Sequence, residues 1–169
     1  MLLKFKKIAV AAGLLAVMIF LPAGAQADPV FHPTNDGGNL GLGLELGDPG
    51  AWGATAKIWI DRVNAFAPAV KFNSGNSAIL QLDYLWHNFD VIHLKHTDGE
   101  MPLYIGVGGD LLMNSSVQIA ARVPLGVSYI FEKKSAPIDI YLQLVPTLWF
   151  YTGGAVMNLY PELGAHIYF

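Results

Sequence analysis

The chain has 169 residues, 53% of them hydrophobic and only 14% charged, and it contains no cysteine. That excludes disulfide stapling, a thiol nucleophile and a thiolate metal site. Ten basic residues stand against 13 acidic ones, for a net charge of −3, a balance that disfavours nucleic acid or any other polyanion as partner.

Lys4, Lys6 and Lys7 precede an uncharged run from Ile8 to Leu21, and Ala25-Gln26-Ala27 places small residues before Asp28. This three-part pattern predicts a cleavable signal peptide over 1–27. The run is shorter than the ~20 apolar residues of a spanning helix. Loss of the three lysines leaves seven basic residues against 13 acidic, so the mature charge is −6. No later apolar run approaches ~18 residues, so a membrane could be crossed only by strands.

A polar lead-in occupies 28–38, and the single predicted domain runs from 39 to 169. Leu40, Leu42, Leu44 and Leu46 alternate with Asn39, Gly41, Gly43, Glu45 and Gly47, which is the period of a strand. Asp48-Pro49-Gly50 reads as a turn. Ala54, Ala56, Ile58 and Ile60 then alternate with Thr55, Lys57, Trp59 and Asp61. A third strand, about 64–72, is blurred by Pro68 and several alanines. After Asn73-Ser74-Gly75-Asn76, a fourth alternates Ala78, Leu80, Leu82, Tyr84 and Trp86 with Gln81, Asp83 and His87. The longest polar stretch, 88–100, reads as a loop. Strands are predicted at 101–113, 117–131, 138–150 and 155–169, with short turns between them. The expected fold is all-β: an eight-stranded antiparallel up-and-down meander, closed by pairing the last strand with the first.

The apolar parity of these strands carries no charged side chain. The other parity carries about one charge per strand (Glu45, Lys57, Asp83, Asp110, Arg122, Asp139, Glu162) among many Gly, Ser, Gln and Tyr. A soluble surface usually wants ~25–35% charged residues, so this face is too poor in charge for an exterior, and its glycines suit a narrow interior. A transmembrane β-barrel follows, apolar outside and polar inside. Trp86, Tyr129, Phe131 and Phe169 are expected at the periplasmic rim of its lipid face, and Phe150, with Phe72, at the outer rim, as the two aromatic girdles. Glu162, Gly164, Ile167 and Phe169 match the carboxy-terminal signal by which bacterial outer-membrane barrels are recognised for insertion.

The segments LGLELGDPGAWGATAKIWI (42–60), LQLDYLWH (80–87), PLYIGVGGDLL (102–112), RVPLGVSYIF (122–131), PIDIYLQLVPTLWF (137–150) and the terminal GAHIYF resemble an uncharacterised family of small bacterial outer-membrane barrels. Its members are similar in architecture to the membrane domain of outer membrane protein A. The Gly-Asp-Pro turn, Asp-Tyr-Leu-Trp-His and Arg-Val-Pro-Leu-Gly are the more specific words. The resemblance implies the fold and an outer-membrane location, and brings no established activity.

An eight-stranded ring is only wide enough for side chains to fill it. Lys57, Asp83, Arg122 and Glu162, inward and near mid-height, are therefore expected to pair across the axis, with Glu45 on the same face. A structural filling of ion pairs is the plain expectation, and a gated ion or proton path the sharper one. Ser128, His166 and an acid (Glu162, or Asp83 beside His87) sketch an acyl-transfer set. However, Ser128 and His166 lie toward the periplasmic end, away from outer-leaflet lipid A, and no catalytic residue is assigned. His93 and His96 with Asp90 and Asp98 read as a solvated turn rather than a metal site, and no cofactor is expected. The implied partners are outer-membrane lipids and, during insertion, the barrel-assembly machinery. The 88–100 loop would face the periplasm, the outward turns being short. The competing readings are a small lipid-modifying enzyme of lipid A acyl hydrolase or transferase type, and a soluble periplasmic lipocalin-like binder with its apolar face turned inward.

Overall fold

The computed structural model describes residues 38–47, 50–73, 77–94, 99–131 and 137–169. The predicted signal peptide, the lead-in up to residue 37, Asp48 and Pro49, the 74–76 turn, 95–98 and 132–136 lie outside the described residues. The elements are β1 (Leu40–Gly47), β2 (Ala51–Trp59), β3 (Asn64–Asn73), β4 (Ser77–Asn88), β5 (Gly99–Glu100), β6 (Leu103–Met113), β7 (Val117–Arg122), β8 (Leu125–Phe131), β9 (Ile138–Tyr151) and β10 (Gly154–Tyr168), with no helix among the described residues.

These elements make a closed antiparallel ring of eight walls, because β5 continues β6 and β8 continues β7. β1 closes it against β10, from Gly41 opposite Tyr168 to Leu46 opposite Leu163. One end holds Gly38, Phe169 and the β2–β3 connection, and is called the terminal end below. The other is the hairpin end, where Gly50 turns at φ 79°.

The wall expected as one strand over 117–131 is interrupted at Val123 and Pro124, and the cause is chemical. Register is unchanged across the break: Arg122 lies opposite Gly108 and Leu125 opposite Ile105. Gly106 N–H donates to Pro124 O at 2.8 Å, but proline has no N–H to return the bond. On the other side Val123 N–H donates to Pro146 O at 3.0 Å, and again the partner is a proline. Pro102 repeats the effect. It accepts from Ser128 N–H at 3.1 Å and separates β5 from β6, so the wall expected to begin at Met101 starts at Gly99 and the polar loop ends two residues early. The third strand runs Asn64–Asn73, with Pro68 opposite Leu82.

The two faces of the ring are opposite in character. Leu42, Leu125 and Leu142 are 49%, 37% and 54% exposed on the outside, whereas a lipocalin-like binder would turn them inward. Trp52, Phe72 and Phe150 are exposed outside at the hairpin end. At the terminal end Tyr129 and Phe131 meet edge to face at 4.6 Å, Trp86 and Tyr84 at 4.8 Å, and Phe169 is exposed. The inward positions hold Glu45, Lys57, Lys71, Asp83, Asp110, Arg122, Asp139, Glu162 and His166, all buried.

Candidate functional site

The interior groups divide into two clusters. On the hairpin side Arg122, from β7, reaches three carboxylates: its Nε lies 3.1 Å from Asp83 Oδ1, its Nη1 3.1 Å from Asp110 Oδ1, and its Nη2 2.5 Å from Glu162 Oε2. Nη1 also donates to Gln81 Oε1 at 2.6 Å. Lys71, from β3, lies 2.7 Å from Glu162 Oε1 and 3.0 Å from Glu45 Oε1. Tyr141 O–H donates to the other oxygen of Glu45 at 2.5 Å. Elements far apart in the chain are thus tied through the hollow of the ring.

On the terminal side the hub is an anion. Asp139 accepts from Lys57 Nζ at 3.2 Å and from Tyr168 O–H at 2.8 Å, and His166 Nδ1 lies 2.7 Å from its other oxygen. Lys57 Nζ also sits 4.6 Å from the ring centroid of Trp59 and 5.5 Å from that of Tyr104, a favourable place for a cation. Tyr104 O–H donates to Gln143 Oε1 at 2.8 Å, and Gln143 Nε2 donates to Glu162 at 2.6 Å, so a neutral bridge joins the two clusters.

Of the residues expected to pair, the ring therefore joins Asp83, Arg122 and Glu162, with Glu45 attached through Lys71. Lys57 does not join them. It lies toward the terminal end and pairs with Asp139. Lys71 was missing from the expected network, because Pro68 and the alanines blurred its strand, although it shares the inward parity of Ala65 and Ala69.

Glycines make the space for this packing. A Cβ on Gly126 would come within 2.4 Å of the Tyr104 ring, and one on Gly164 within 2.4 Å of the Tyr141 ring. Gly164, named above for the assembly signal, thus also seats an interior ring that stacks on His166 at 5.1 Å. Trp59 and Trp149 are buried inside toward opposite ends. Between the clusters lies a cavity of only about 10 Å³, bordered by Glu45, Asp83, Gln81, Tyr104 and Tyr141 among others, room for about one water.

Such an interior limits the chemistry on offer. Ser128 Oγ is buried with no hydrogen-bond partner, while His166 Nε2 lies 3.4 Å from Thr55 Oγ1 instead. The Ser128–His166 pair sketched from the sequence is therefore not assembled, and the cavity that Thr55 and His166 border measures only about 10 Å³. His93 stands outside any group of three or more potential metal ligands among the described residues; His96 and Asp98 fall outside them.

Fold and interior together define a class: a closed antiparallel ring with an apolar exterior and a filling of ion pairs. No protein-family model matches the chain, and comparison with curated proteins and with solved structures finds no match either.

Proposed function

We propose that this chain is an integral outer-membrane β-barrel protein with a structural, non-catalytic role, its wall facing lipid and its hollow filled by ion pairs. The observation that carries this reading is the inversion of faces: leucine, isoleucine and valine line the outside while eight acidic and basic side chains are enclosed. In hydrocarbon every backbone polar group needs an internal partner, which a ring without edges supplies. Aromatic side chains gathered outside at both ends support the same reading. The small size of the cavity between the two clusters, about 10 Å³ among the described residues, supports a filler role for the charges. The secretory pattern at the amino terminus and the Glu162, Gly164, Ile167, Phe169 pattern accord with export and insertion by the assembly machinery.

The test is fractionation of cells expressing the whole chain. The processed protein is expected in the outer-membrane fraction, extractable only with detergent, and migrating differently on a gel before and after heating. Recovery as a monomer in detergent-free buffer would overturn the proposal. Leu142→Arg, on the outside of β9, is expected to cost about 2–4 kcal/mol of stability in lipid vesicles; an unchanged unfolding midpoint there would also count against it.

A further inference from the structure

Enclosed charge is out of balance on one side of the ring. Among the described residues, Glu45, Asp83, Asp110 and Glu162 on the hairpin side share only Lys71 and Arg122, an excess of two negative charges. On the terminal side Lys57 answers Asp139 one for one. Burying an uncompensated ion costs several kcal/mol, and carboxylates crowded into one site cannot all ionise. The cluster must therefore take up protons or a small cation. A hollow of about 10 Å³ holds a water but not the oxygen shell a hard cation requires.

We infer that the hairpin-side cluster holds at least one proton at neutral pH, and that Asp83 is the carboxyl that keeps it. Glu162 is the best compensated of the four, with Lys71, Arg122 and Gln143 all donating to it. Glu45 has Lys71 and the Tyr141 hydroxyl. Asp110 has both oxygens near Arg122 Nη1, at 3.1 and 3.3 Å, and is the least enclosed. Asp83 has a single contact with the shared guanidinium, at Nε, and one amide donor, Gln81 Nε2 at 3.0 Å. It borders the small cavity, where a water can accept its O–H. The other groups at that cavity do not neutralise it: Tyr104, Tyr141, Gln143 and Thr55 bring no positive charge, Lys57 is engaged by Asp139, and His166 lies against Asp139.

The sign of the consequence follows. Asp titrates near ~4 in an unfolded chain, so the folded ring binds more protons than the unfolded chain above that pH. Stability is then full below about pH 4 and falls as pH rises to the point where Asp83 releases its proton. This does not depend on where the ring resides; a failed fractionation would leave it standing.

The experiment uses the full chain folded in detergent. Infrared spectra near pH 7 are expected to contain the carbonyl band of a protonated carboxylic acid, missing in Asp83→Asn. Unfolding midpoints of the wild type are expected to fall between about pH 4 and about pH 7, while those of Asp83→Asn stay level. A wild-type spectrum without the acid band overturns the inference whether or not the variant folds. So does a variant that keeps the band or the slope, or a wild type stabilised specifically by sodium at constant ionic strength without the band.

Discussion

On the hairpin side of the ring one guanidinium serves three carboxylates; on the terminal side one carboxylate serves a lysine, a tyrosine and a histidine. Both arrangements enclose ionic groups in a hollow too small for bulk water, but their hubs have opposite sign. Loss of the first hub leaves anions facing one another. Loss of the second leaves a cation facing tryptophan and tyrosine. The opposed signs provide a way to tell, from outside, which cluster a given change has disturbed.

The largest effect is expected from Arg122→Ala, which strips three carboxylates of their shared partner and should cost about 5 kcal/mol, the upper end for breaking a buried pair. Urea unfolding of the detergent-folded chain checks this. The loss should shrink as pH falls, because protonation relieves the exposed carboxylates. Asp139→Asn is expected to cost less, about 3 kcal/mol, since the amide still accepts from Tyr168, and its loss should shrink as pH rises and Lys57 sheds its proton. Variants that respond to pH in the same direction would break the contrast between the clusters.

Gly126→Ala is expected to cost about 1–3 kcal/mol by overpacking. The added methyl displaces the Tyr104 ring and with it the hydrogen bond to Gln143 that links the clusters. Near-ultraviolet circular dichroism should report the displaced tyrosine; an unchanged spectrum would mean the ring has room to spare. The smallest change lies outside both clusters. In the β2–β3 connection Asp61 accepts from Val63 N–H at 2.7 Å and Asn64 N–H at 2.8 Å, and from the Asn64 side chain at 2.9 Å. Burial pushes the Asp61 carboxyl up, but these donors outweigh it and hold the group below its ordinary value. Its contribution is thus intact above about pH 4 and lost as pH falls further. Asp61→Ala is expected to cost about 1 kcal/mol at neutral pH, like loss of a helix cap, and nothing in strong acid.

The walls were legible because leucines at 40, 42, 44 and 46, and at 142, 144 and 148, leave the direction of each side chain in little doubt. Parity says nothing of height or of position around the ring. Lys57 and Arg122 were both readable as inward, yet which carboxylate each meets depends on the stagger between strands, which only the closed ring fixes. Asp139 was placed on the inward face without its role as a hub for the same reason. Interruptions at Pro102 and Pro124 escaped notice although both prolines stand in plain view, because in an antiparallel pair a missing N–H matters only once the partner across the ladder is known. The interior tyrosines were likewise readable as inward, but that Tyr104 and Tyr141 each lie over a facing glycine required the register.

The prolines at 124 and 146 have a further consequence. Each sits in a pair that exchanges one backbone bond where two are normal, and the two pairs adjoin across a single wall. Gly106 and Val123 are therefore the carbonyls whose reciprocal donors are lacking. When the wall loosens, it should part here before anywhere along the long β9–β10 ladder, and deuterium would enter the amides of Gly106 and Val123 ahead of those on either side.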